Sequence, residues 1–189
     1  MIYAKWAVLV LLTLAVDLLG LVAVAIALAF CKSESEHLPR LFWPWDNEIE
    51  GINGDGGWRG PEHANGHERE FWWRYQWLAI RNAGTNFSYL IGFEQTLDIV
   101  YIADTGSDPL TSNQGHEGTN CVRAFKPEGF AAWEYYYVKR WMPGRCLRVR
   151  LGWKLADNID EETRVKNLGT RAQIVCSVNP VMTFQERAA

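Results

Sequence analysis

From Trp6 to Phe30 the chain carries a single charged residue, Asp17, in an otherwise apolar run. A helix rises about 1.5 Å per residue and a bilayer's hydrocarbon core is about 30 Å thick, so this run is long enough to cross a membrane with some tilt. Secretory signals carry a shorter apolar stretch of roughly 7–15 residues and a small-x-small cleavage site, which is not the pattern here. The bulky Phe30 directly before Cys31 also argues against a lipoprotein signal. The expectation is a transmembrane anchor over residues 1–32, with Trp6 at one membrane interface.

Asp17 is the anomaly of this run. A charged Asp at the centre of a spanning helix costs about 2.5–3.5 kcal/mol on insertion scales, so it should face protein, pair or take up a proton. Gly20, one turn on, permits close approach of another element. Asp17 and Gly20 are therefore the expected membrane or oligomer contacts, through a homo-oligomer or a partner membrane protein. Lys5 at one end and Lys32 and Arg40 at the other nearly balance. A slight lean of the positive-inside rule puts the following domain in the cytoplasm.

The remainder is polar, mildly acidic and rich in Trp: 189 residues carry a net charge of -3 and ten Trp. Without a basic block there is no electrostatic footprint for nucleic acid, which is excluded as an expected partner. Trp favours sites that are apolar on one side and wet on the other, which points to the lipid bilayer as one partner and a protein surface as another. Cys31, Cys121, Cys146 and Cys176 form no CxxC pair. They read as small buried hydrophobes, with a Cys146–Cys176 bridge open only in an oxidising compartment.

Residues 33–83 read as an aromatic and Gly-rich juxtamembrane connector. Phe42, Trp43 and Trp45, set between Pro39 and Pro44, are expected interfacial aromatics, because the prolines oppose a long helix and indole rings suit the headgroup level. The segment Asp46–Trp58, DNEIEGINGDGGW, reads as a loop of several turns. Asp46, Glu48 and Glu50 before Gly51 imitate half of an EF-hand, but Gly57 stands where the bidentate Glu is required. His63 and His67 are four apart without an HExxH pattern, and Asn65-Gly66 between them opposes a helix. Asp46, Glu48, His63 and His67 are thus weak metal candidates, and no metal or cofactor is expected. From Glu68 to Asn82, Phe71, Tyr75 and Leu78 recur at helical spacing beside Trp73, Trp77 and Ile80. This predicts one amphipathic helix, its aromatic face covering the sheet of the following domain or, as the alternative, lying at the membrane interface with Arg69, Arg74 and Arg81 at phospholipid headgroups.

Beyond Gly84 the period changes to two. Strands are predicted over Thr96–Ala103, Thr119–Phe125, Ala132–Arg140, Arg145–Leu155 and Ala172–Val178, making 84–189 a small, mainly antiparallel β domain. Met142, Pro143 and Gly144 form the turn of a hairpin, and Leu147, Val149 and Leu151 alternate with Arg148, Arg150 and Gly152 as one buried and one wet face. Residues 106–118 form a polar loop available for binding. The fold class is α+β.

Several blocks extend this reading over nearly the whole chain: the apolar N-terminal helix, LPRLFWPWDNEIEGINGDGGW, WWRYQWLAIRNAGTNFSY, YYYVKRWMPGRCLRVRLGWKL and a late NPVMTF. In these the chain resembles an uncharacterised group of small tailed-bacteriophage and prophage proteins with one N-terminal transmembrane helix. The resemblance implies a bacterial host's inner membrane as the location, and no known activity. With no GxSxG, Walker A or HExxH motif, the expectation is no enzyme. A membrane-tethered binding or adaptor module is expected instead, the alternative being a structural virion component acting at the host membrane during genome delivery.

Overall fold

The computed structural model describes residues 1–60, 65–96, 98–104, 117–156 and 171–184. The chain is α+β, as its two hydrophobic periods predict. A long apolar helix, α1 (Ile2–Ala29), comes first. A 3₁₀ turn (Arg40–Trp45) and the short helices α2 (Gly56–Arg59), α3 (Phe71–Tyr75) and α4 (Thr85–Leu90) follow, with α3 running on into a π-helical segment (Gln76–Arg81). Among the described residues, seven strands complete the order: β1 (Phe93–Glu94), β2 (Val100–Ala103), β3 (Gly118–Lys126), β4 (Gly129–Met142), β5 (Arg145–Trp153), β6 (Arg171–Ala172) and β7 (Ile174–Thr183). Most of the polar loop 106–118 lies outside the described residues.

The chain divides into two compact units, Met1–Val10 with Ile91–Ala189 and Leu11–Leu90, so α1 contributes to both. In the β-rich unit, five strands form an antiparallel sheet in the order β2-β3-β4-β5-β7, and β1 pairs with β6 in a separate two-stranded ladder. The β4–β5 hairpin turns at Met142–Arg145, where the sequence places Pro143 and Gly144, and it aligns Tyr135 with Leu151 and Tyr137 with Val149. One face of β4 sets Ala132, Glu134, Tyr136 and Val138 in the interior. Glu134 is buried but fully employed: it pairs with Arg150 across the hairpin, and its Oε2 accepts from the Ala156 backbone N–H at 2.6 Å. Opposite Glu134 stands Gly152, with φ +105 and the Trp133 carbonyl oxygen 2.1 Å from where a Cβ would be. Only glycine fits there.

The first turns of α1 belong to this unit's core. Ile2, Trp6, Leu9 and Val10 pack against the cluster of Trp133, Trp153, Leu155 and Ile174. The Trp6 indole donates to the carbonyls of Gly152 (3.1 Å) and Val175 (3.3 Å) and meets Trp133 edge-on at 5.2 Å.

The second unit is built along the rest of α1. Val24, Ala27 and Leu28 pack with Leu38, Ile52, Trp58, Trp77 and Leu78. The predicted amphipathic helix exists as α3 and its π-helical continuation, and its buried partners lie within this unit. The face was expected on the sheet, but its buried side chains Trp77 and Leu78 pack with Val24 and Ile52. The four cysteines are unpaired. Cys146 stands opposite Met182 and Cys176 opposite Leu151, five positions apart along β5 and so on opposite faces of the sheet, which rules out the Cys146–Cys176 bridge.

Candidate functional site

The helical unit carries an open cavity of about 650 Å³ lined by His37, Leu38, Arg40, Trp43, Asp46 and Glu48. Its wall is shaped by proline. Pro39 is extended (φ -54, ψ 139) and Pro44 lacks a backbone donor, so the chain between them closes a tight 3₁₀ turn with Phe42 N–H bonded to the Pro39 carbonyl at 2.7 Å. The turn ends at Asp46, whose N–H returns to Trp43 at 3.0 Å. The buried Asp46 carboxylate accepts from the Asn47 backbone N–H at 2.9 Å, and its other oxygen lies 3.2 Å from His37 Nδ1. Burial pushes the Asp46 carboxyl up from its usual value, opposed by the backbone donors of Leu38 and Asn47 and by His37.

Trp43 donates from its indole to Glu48 Oε1 at 2.7 Å. Asn86, distant in sequence, closes the frame: its amide donates to the Trp43 carbonyl (3.0 Å), its Oδ1 accepts from the Glu48 N–H (3.2 Å), and its own N–H reaches the Asp46 carbonyl (3.3 Å). Nothing in the sequence marked Asn86, because it acts across the fold with no local pattern. His37 and Arg40 were likewise missed as lining residues. Asn47, buried next to Asp46, holds the turn by accepting from the Ile49 and Glu50 N–H groups.

Of the expected metal candidates, Asp46 and Glu48 share this cavity. His67 sits elsewhere, exposed, with Nδ1 2.5 Å from Glu70, and His63 lies outside the described residues. Among the described residues no group of three or more His, Cys, Asp or Glu side chains converges.

The expected membrane contacts face this chain itself. Trp45 covers Gly20 and donates to the Val16 carbonyl at 2.8 Å; a Cβ on Gly20 would stand 2.7 Å from the indole Cδ1. Asp17 Oδ1 lies 2.5 Å from where a Cβ on Gly84 would be, buried and without a hydrogen-bond partner among the described residues. Phe42 packs half-buried at the edge of the same core, 6.5 Å from Trp45.

Arg74 departs from its expected role at lipid headgroups. It is buried and donates to Asn53 Oδ1 (2.9 Å) and to the carbonyls of Lys32 (2.9 Å), Ser33 (2.6 Å) and Ser35 (3.2 Å). The guanidinium fork thereby holds the turn that leaves α1, because five rigidly placed donors suit a ring of carbonyls better than any other side chain. Arg81 is half-exposed, lying over the rings of Trp58 and Trp77 at 5.4 and 5.3 Å.

One family of sequences matches residues 1–186, nearly the entire chain. The chain belongs to DUF7338, a family of unknown function. No curated protein and no solved structure matches it. For this DUF7338 member, α1 is one helix long and apolar enough to cross a membrane by length and composition.

Proposed function

We propose that this chain is a membrane-attached binding module, held by α1 lying in the plane of one leaflet, which presents the helical unit's cavity at the bilayer surface. The observation that carries this reading is the division of α1 into two faces. Val16, Gly20, Val24 and Ala27 face the chain's own side chains, while Leu11, Leu14, Leu18, Leu19, Val22, Ile26 and Phe30 are exposed. Exposed apolar area on this scale, unbroken by a polar side chain, marks a lipid or protein contact.

In-plane attachment is favoured over an upright span by what lies against the helix. Trp45 is bonded to Val16, and Tyr75 donates its hydroxyl to the Leu21 carbonyl at 3.0 Å. An upright α1 would draw those neighbours, with Asp46, Asn86 and Arg74, toward hydrocarbon, where each polar group carries a large cost. Lying flat, α1 sinks its uncovered face roughly 5–10 Å into the boundary and keeps the covered face, with the polar groups packed on it, out of the hydrocarbon. The length of α1 favours the single-pass alternative, and its two ends then lie on opposite sides of the membrane.

Four unpaired cysteines support a reducing, cytoplasmic side. The resemblance to tailed-phage and prophage proteins supports a bacterial host's inner membrane, with an adaptor role toward a protein partner. Mass spectrometry of purified particles separates that role from a virion component, since an accessory protein is absent from them. Membrane attachment itself is tested with Leu18→Glu/Val22→Glu, two exposed positions. The double variant should move from the membrane to the soluble fraction, and full retention in the membrane would count against the reading.

A further inference from the structure

We propose that the cavity at His37–Glu48 is a binding site for the phosphoethanolamine headgroup of a membrane lipid. The inference rests on the membrane attachment just described and adds the ligand. Three observations meet in one small region. The cavity, about 650 Å³, has room for a headgroup and is open on one side. Its lining carries both signs of charge, Arg40 against Glu48 and Asp46, with the Trp43 ring among them. Leu41 and Ile49, next in sequence to Arg40 and Glu48 of the lining, are 83% and 70% exposed.

Exposed leucine and isoleucine beside a charged cavity suit a surface that meets acyl chains around a polar headgroup. The chemistry selects the headgroup. Arg40 is exposed and offers a planar fork of donors, which matches a phosphodiester. Glu48 has one carboxylate oxygen engaged by the Trp43 indole, which orients the other for a cation. A primary ammonium brings three N–H donors to that carboxylate and to the aromatic ring beside it. A choline headgroup has no N–H to donate, and a glycerol headgroup has no cation. Asp46 is committed to His37 and to backbone donors and builds the wall instead of binding. Asn86 fixes the spacing of Trp43 and Glu48 through their backbones.

The test uses the full chain purified in detergent and offered equimolar phosphatidylethanolamine, phosphatidylcholine and phosphatidylglycerol, with retained lipid counted by native mass spectrometry. The expected result is one retained phosphatidylethanolamine, at least about fivefold over either competitor. Arg40→Gln and Glu48→Gln should each abolish that preference at an unchanged unfolding midpoint, since both side chains are exposed. Equal retention of the three lipids, or a preference that survives both substitutions, overturns the proposal. A parallel titration with free phosphoethanolamine separates the sources: binding at lower concentration than the lipid would assign the site to a soluble metabolite and overturn the lipid assignment. Binding in detergent does not require insertion in a bilayer, so loss of lipid preference and loss of membrane attachment are read independently.

Discussion

The indole N–H of Trp45 donates to the Val16 carbonyl at 2.8 Å while the same ring lies over Gly20. A tryptophan that the sequence suggests for a membrane interface is thus locked onto α1 by a hydrogen bond and a missing Cβ. Gly20→Ala puts a methyl 2.7 Å from the ring and must displace it. The expected cost is about 1–3 kcal/mol, as for other overpacked sites, measured as a lowered unfolding midpoint in detergent. Trp45→Phe in the same background should recover part of that loss, because the smaller ring relieves the clash.

Arg74 holds three backbone carbonyls and Asn53 at once. Arg74→Met removes all of these donors and leaves buried acceptors unpaired, at an expected cost of about 3 kcal/mol. Arg74→Lys should recover only part, since an ammonium lacks the fork. Proteolysis between Lys32 and Glu36 should accelerate in the Met variant, and an unchanged digestion pattern would show that the turn is held by other means.

Gly152 faces Glu134 across the β4–β5 ladder with φ +105. Gly152→Ala combines a strained backbone with a collision against the Trp133 carbonyl, and should cost at least about 2 kcal/mol. Because the Gly152 carbonyl also accepts from Trp6, near-ultraviolet circular dichroism should report a changed Trp environment along with the lost stability.

Alkylation should separate the thiols. Burial pushes the Cys146 thiol up and screens it, whereas Cys176 is exposed. Only the thiolate reacts, so Cys176 should be modified quickly at neutral pH and Cys146 only under denaturant. The order is read by mass spectrometry of peptides after timed quenching, and simultaneous modification of both would contradict the packing of Cys146 against Tyr136 and Val138.

The hairpin was legible because its information is local, a Met-Pro-Gly turn with β4 and β5 pairing around it; its faces were not, since Leu147, Val149 and Leu151 are no more buried than Arg148 and Arg150, which stand opposite the buried Val138 and Tyr136 together with Gly152 opposite the buried Glu134. The helical spacing of Phe71, Tyr75 and Leu78 was legible for the same reason, and so was the apolar length of α1. The partners of those elements were not. Trp6 meets Gly152 and Trp45 meets Val16 through contacts that no spacing encodes, and Asn86 and Arg74 act across some forty positions of chain. Arg74 looks like any basic residue on a helical face until the carbonyls leaving α1 surround it. The pairing of β1 with β6 rests on two residues from each strand, too few for an alternating pattern to register.

The proposed placement of α1 is along one leaflet, with both ends on the same side. It is tested most directly by placing single cysteines at Ala4 and Ser33, both exposed and near the two ends of α1, in the full chain with its four native cysteines replaced by alanine. A membrane-impermeant maleimide is then applied to intact spheroplasts and to inverted membrane vesicles. With α1 in one leaflet on the cytoplasmic side, both positions are protected in spheroplasts and both are labelled in inverted vesicles. Labelling of one position in spheroplasts and of the other in inverted vesicles would establish an upright span and contradict it.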